Sequence, residues 1–137
     1  MKTQNFTLSK LQLLDAISDQ ISIDIVTAIS NNVTNSDSIM KLLDLSRKQY
    51  YSRCSRLSNI GLVNKQNGEM ILTSFGRIVY NAQLKIAMAF SHSSTLRIID
   101  AIISHSGLSV DQQKIIIEKL LEDSQLKNLV ILPTESK

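Results

Sequence analysis

Four side chains in one short stretch carry groups that can recognise the edge of a base: Lys48, Gln49, Ser52 and Arg56. An ammonium or guanidinium pairs with guanine and a carboxamide with adenine, each good bidentate pair contributing about 1–3 kcal/mol of discrimination. Arg47 and Arg53 beside them suit phosphate contact, as does Lys65 further on. The stretch Ser46–Lys65 reads SRKQYYSRCSRLSNIGLVNK. At about 100° per residue, its helical part sets Tyr50, Cys54 and Leu57 on one side. Lys48, Ser52, Ser55, Arg56 and Asn59 fall opposite, with Gln49 and Arg53 along one flank and Tyr51 along the other. One face suits a core, and the other has the positive charge and short polar groups that a DNA major groove accepts.

Two of these residues have competing uses. Gln49 lies three residues after Ser46 and can complete a capping box, and a side chain turned to the backbone cannot also read a base. Tyr51 points sideways, towards the preceding helix or a phosphate, whereas Tyr50 belongs to the core face. Stacking of bases on the two tyrosines would want an exposed platform, usually a sheet, and here the pair sits in a helix. Arg77 lies past this region, with no clear approach to a backbone phosphate.

Other chemistries find little support. There is no nucleophile–base–orienter set, no GxGxxG, no phosphate loop and no carboxylate pair in an apolar frame, so catalysis is not expected. The single cysteine, Cys54, excludes an internal disulfide framework and disfavours zinc. His92 and His105 read as surface or helix-end residues. No cofactor or metal is expected.

The net charge of +3 is unevenly spread. Before Ser46 three lysines meet five aspartates, a balance of −2. From Ser46 to Tyr80 six basic residues meet Glu69 alone, a balance of +5, and the rest of the chain is neutral. A local basic excess suggests contact with a polyanion. No apolar run reaches the roughly 18 residues of a membrane span, and the N-terminus lacks the hydrophobic region of a signal peptide, so a cytoplasmic protein is expected.

Several elements must position the basic helix. Residues 1 to about 6 read as frayed, and Leu8, Leu11, Leu14 and Ile17 are spaced for a short helix. Ile21, Ile25, Ala28 and Ile29 predict a helix to about Ser30. After a polar linker at 31–36, Ile39, Leu42 and Leu43 predict a short helix, joined to the next through Asp44-Leu45. Three helices with so short a last turn have the plan of a helix-turn-helix. Gly61 marks the end of the third. Leu62–Lys65 and Glu69–Leu72 then flank Gln66-Asn67-Gly68, a strong hairpin signal that would make a wing bearing Lys65, Gln66 and Asn67 at its tip. Thr73 can cap a helix to about Phe90 with apolar positions at Phe75, Ile78, Val79, Ala82, Ile86, Ala89 and Phe90. The expected fold is mainly α with a small β-hairpin.

The residues also resemble a known family, the small archaeal winged helix-turn-helix transcriptional regulators. The resemblance rests on LSRKQYYSRCSRL (Leu45–Leu57), IGLVNKQNGEMILT (Ile60–Thr73), SFGRIVYNAQ (Ser74–Gln83) and LLDAISDQIS (Leu13–Ser22), roughly two thirds of the chain. It implies sequence-directed binding of double-stranded DNA, usually by a dimer, with the third helix in the groove and the wing beside it. The rival expectations are a winged helix that docks on another protein of the transcription machinery, and one that binds RNA.

Residues 91–137 extend this unit, with no linker between. Ser91–Ser94 interrupts the helical pattern, Leu96, Ile99, Ile102 and Ile103 make one stripe, and Ser109 with Gln112 forms a second capping box. The last helix is expected to end between Lys127 and Val130, with Pro133 in the tail. The isoleucines at 98, 99, 102, 103 and 115–117, with Leu120 and Leu121, cover more arc than a small domain needs. They are expected to join two copies as a homodimer, or else to fold back on the domain.

Overall fold

The computed structural model describes the backbone of residues 2–131 and, within it, the side chains of residues 10–105 and 107–131. The side chain of Leu8, and all of Pro133, lie outside the described residues. The described chain is mainly helical, with one two-stranded antiparallel sheet. In order the elements are α1 (Lys2–Ile17), α2 (Gln20–Ser30), α3 (Ser36–Leu43), α4 (Arg47–Ile60), β1 (Val63–Gln66), β2 (Glu69–Leu72) and α5 (Ser74–Ser91). They are followed by α6 (Ser93–Ser106), α7 (Val110–Leu120) and α8 (Ser124–Val130). The order of α2 to β2 is compatible with a winged helix. Two compact units share the chain, Met1–Gln83 and Leu84–Lys137, so the division falls inside α5 and not after residue 90.

Side-chain caps fix where the helices of the first unit begin. Asp19, Asn35 and Ser46 stand before α2, α3 and α4, each accepting a bond from a backbone N–H of the first turn. At Ser46 the box is reciprocal: the Gln49 N–H donates to Ser46 Oγ (3.1 Å) and the Ser46 N–H donates to Gln49 Oε1 (3.0 Å). Asp44 ends α3 with φ 55° and ψ 51°, and the Leu45 N–H reaches back to the Met40 carbonyl at 2.9 Å. An aspartate thus occupies the left-handed position that glycine usually fills. Gly61 ends α4 at φ 96°, where the Leu62 N–H closes on the Leu57 carbonyl at 3.0 Å.

Tyr50, Cys54 and Leu57 are buried in one core with Ala16, Ile25, Ile29, Ile39, Leu62 and Val63. In α3 the buried pair is Ile39 and Met40, while Leu42 is 62% exposed. Methionine's flexible stem fills the core position that the Ile39–Leu42–Leu43 spacing assigns to Leu42. Helix α1 starts at Lys2, earlier than the sequence suggests.

The hairpin pairs Val63 with Leu72 through Gln66 with Glu69. Gln66 therefore belongs to the strand, and the turn is Asn67-Gly68 alone, with φ values of 53° and 80°. Two left-handed residues make the primed turn whose twist matches the strands. The segment read as a linker adds another rung: the Met70 N–H donates to the Thr34 carbonyl (3.0 Å), and Thr34 Oγ1 donates to Glu69 (3.1 Å).

Thr73 joins the hairpin to α5. Its hydroxyl donates to the Gly61 carbonyl (2.6 Å) and accepts from the Gly76 N–H (2.9 Å). A side chain at Gly76 would collide with the Leu62 carbonyl oxygen, so only glycine lets α5 pack this close. Val79 and Tyr80 pack on the core, but Phe75 and Ile78 of the same helix are 45% and 71% exposed. The apolar arc of α5 is therefore wider than the core that receives it.

In the second unit Ile99, Ile117, Leu121 and Leu126 form a small core of their own, with Met88, Leu96, Ile103, Val130 and Ile131 against it. Part of the isoleucine-rich surface thus folds inward, while Ile98, Ile115 and Leu120 remain exposed. The reciprocal box at Ser109 and Gln112 starts α7. Leu121 then turns extended, and Asp123 caps a separate α8, where one continuous helix is the sequence expectation.

Candidate nucleic-acid interface

The hydrophobic seam of Tyr50, Cys54 and Leu57 fixes the rotation of α4, and its remaining circumference divides into two flanks and an outer pole. Arg53 and Arg56 occupy the flank towards α1 and α2. Arg53 Nε donates to Asp19 Oδ2 at 3.1 Å. Arg56 spreads its guanidinium over Asp15 (3.2 Å), Asp19 (3.3 Å) and Ser22 Oγ (3.3 Å). Arg56 Nε is buried and has no partner among the described residues. Asp19 also accepts from the Ser22 N–H (3.0 Å) and hydroxyl (2.7 Å) while capping α2. Burial pushes its carboxyl up, but Arg53 and Ser22 outweigh that and hold it at about 2.

The outer pole differs in kind. Lys48, Ser52 and Asn59 are exposed, and none has a side-chain hydrogen bond or ion pair to a described residue. Gln49 is spent on the capping box.

On the hairpin flank the Arg47 guanidinium lies 5.5 Å from the centre of the Tyr51 ring. Tyr51 meets Tyr50 edge to face, the centroids 5.0 Å apart. The Tyr50 hydroxyl donates to Ser36 Oγ (3.1 Å), and burial pushes it up to about 12. Burial likewise raises the Cys54 thiol. Lys65 sits within β1 opposite Met70, and not at the hairpin tip. Strand alternation puts it on the same side as buried Val63, facing α4.

Of the seven residues singled out in the sequence, Lys48, Arg47 and Lys65 thus gather around the outer and hairpin sides of α4, and Ser52 is exposed on the outer side at the rim of the groove it lines with Asp15, Asp19, Arg53 and Arg56. Arg53 and Arg56 face the other way, into α1–α2, and Gln49 serves the helix start. Arg77 donates to the Leu72 carbonyl (3.3 Å) and Ser74 Oγ (3.2 Å), which holds it at the hairpin root. His92 Nδ1 lies 2.9 Å from the Met88 carbonyl, and among the described residues no three His, Cys, Asp or Glu converge to hold a metal. No described helix is long and apolar enough by itself to cross a membrane.

Asp15 and Asp19 are the residues that sequence reasoning missed. The −2 balance before Ser46 was the available signal, since an excess of acids there can draw cations from elsewhere in the chain. No family model, curated protein or solved structure matches the chain.

Proposed function

We propose that this protein binds double-stranded DNA in a sequence-directed way as a homodimeric, cytoplasmic transcriptional regulator of the winged helix-turn-helix type. Helix α4 is the reader, and the hairpin is the wing. The observation that carries this reading is the outer pole of α4, exposed and uncommitted at Lys48, Ser52 and Asn59, beside a hairpin whose lysine faces the same helix. A lysine-bearing, solvent-open face fits a groove better than a protein interface core, which is depleted in lysine.

The roles follow the geometry. Lys48 and Ser52 reach base edges, and Arg47 and Lys65 contact phosphates. Arg53 and Arg56 hold α4 to the acids of α1–α2, which sets the angle at which the pole is presented. Exposed Ile98, Ile115 and Leu120 of the second unit support self-association, the second copy placing another α4 on the next major-groove face about one turn (~34 Å) away. Selection of bound duplexes from a random pool by the purified protein tests the whole reading. The expected outcome is an enriched inverted repeat. Enrichment of a single unrepeated site would remove the dimer, and no enrichment would remove sequence-directed binding.

A further inference from the structure

Two grooves flank α4, and their chemistry is opposite. The one towards α1–α2 is lined by Asp15 and Asp19 as well as Arg53 and Arg56, so its cations are already neutralised. The one towards the hairpin, about 200 Å³, has no carboxylate in its lining. Tyr51, Ser55, Ser58 and Lys65 stand at its sides, over a neutral floor that includes Cys54 and Met70.

The Tyr50 hydroxyl in this groove is taken by Ser36 Oγ, but the donors of Ser55, Ser58 and Lys65 have no acceptor among the described residues. Tyr51, Ser55 and Ser58 lie at i, i+4 and i+7, along one line of the helix. Serine hydroxyls within helices commonly bond back to a carbonyl one turn earlier. Neither the Ser55 nor the Ser58 hydroxyl does so, and neither hydroxyl bonds to any other described residue. Lys65 has no ion-pair partner among the described residues, and its charge is felt at the Cys54 thiol on the groove floor. The Arg47 guanidinium, held on the Tyr51 ring, adds positive charge at the same side.

We propose that the α4–hairpin groove seats one phosphodiester of the DNA backbone. Lys65 and the Ser55 and Ser58 hydroxyls donate to its anionic oxygens, and Tyr51, braced by Arg47 and Tyr50, walls the seat. This rests on the DNA-binding reading and deepens it, because it adds Tyr51, Ser55 and Ser58 and fixes where the strand passes relative to the wing. Charge-assisted hydrogen bonds from two hydroxyls and an ammonium suit a phosphate oxygen and carry no base preference.

The test measures affinity for a mixed-sequence duplex across a series of salt concentrations. The proteins are the full chain, Lys65→Gln, the pair Ser55→Ala with Ser58→Ala, and Lys114→Gln, which removes the same charge from α7 in the second unit. Alanine is the better helix former, so the serine pair does not put folding at risk. The seat predicts that Lys65→Gln lowers the logarithmic salt slope by about 0.9 per protomer, the value for one phosphate. It predicts roughly tenfold weaker binding for the serine pair with the slope unchanged, and no change for Lys114→Gln. Wild-type-like binding by the serine pair overturns the seat and leaves DNA binding standing, as does an equal slope change in Lys65→Gln and Lys114→Gln. Absence of binding by the full chain at the lowest salt overturns both.

Discussion

Replacing Asp19 with asparagine removes a charge but keeps a cap, because the asparagine oxygen still accepts from the Ser22 N–H that Asp19 Oδ2 takes at 3.0 Å. What is lost is the attraction to Arg53 and Arg56 at 3.1 and 3.3 Å. The carboxyl titrates at about 2 in the folded protein against 3.8 when free. At about 1.4 kcal/mol per unit this shift would be worth somewhat over 2 kcal/mol. The Asp19 side chain is 26% exposed and its neighbour Asp15 is 74% exposed, so solvent screening reduces the expected value to about 1–2 kcal/mol. A depressed carboxylate pKa stabilises fully above the unfolded value, and that stability is lost as pH falls through the folded value. The contribution is therefore complete at pH 6, about half gone at pH 3, and lost by about pH 1. Urea unfolding followed by far-UV circular dichroism gives the stability of wild type and Asp19→Asn at each pH. Wild type should be the more stable by about 1–2 kcal/mol at pH 6, and the gap should shrink by about half at pH 3. Carboxylates that do not share Arg53 or Arg56 with Asp19 titrate alike in both proteins and cancel. A gap that stays constant between pH 6 and pH 3 would refute the ion-pair origin of the effect.

The remaining predictions concern particular contacts. Gly76→Ala pushes a methyl group into the Leu62 carbonyl and should cost about 1–3 kcal/mol or more, seen as a lowered thermal midpoint; an unchanged midpoint contradicts the close approach of α5. At Asp44, with φ 55°, glycine should be at least as stable as aspartate, and alanine less stable than glycine despite its better helix propensity; the reverse order in urea denaturation contradicts the left-handed end of α3. Arg56→Ala should cost about 1 kcal/mol of stability while leaving the selected DNA site unchanged. A relaxed site with unaltered stability would return Arg56 to the reading face.

The local grammar of the sequence carried most of the first unit. Ser46 with Gln49, the left-handed Gly61 and the Asn67-Gly68 turn are specified by residues within a few positions of each other, so short-range chemistry was enough to find them. The core face of α4 followed from spacing alone. What escaped were pairings across sequence distance. Arg53 and Arg56 read as outward cations because nothing periodic links them to Asp19 and Asp15, which lie 34 and 41 residues earlier. The rung from Thr34 to Met70 was equally invisible, because a single bridge leaves no alternation to detect. Met40 is buried where the spacing favoured Leu42, because two apolar residues compete for one core position in an eight-residue helix and tertiary fit decides between them. In the second unit the isoleucine arc announced a surplus of apolar surface, but spacing could not divide it between the inner core and the exposed Ile98, Ile115 and Leu120.

The outer pole of α4 is tested most directly by a mobility shift at low salt with a mixed-sequence duplex. Wild type is compared with the double variant Lys48→Glu, Ser52→Asp, both first confirmed as folded by circular dichroism. The expected result is a shift for wild type and its loss in the variant, since two added carboxylates on the pole repel the backbone. Equal shifts for the two proteins, or none for wild type, would contradict a DNA-reading role for α4.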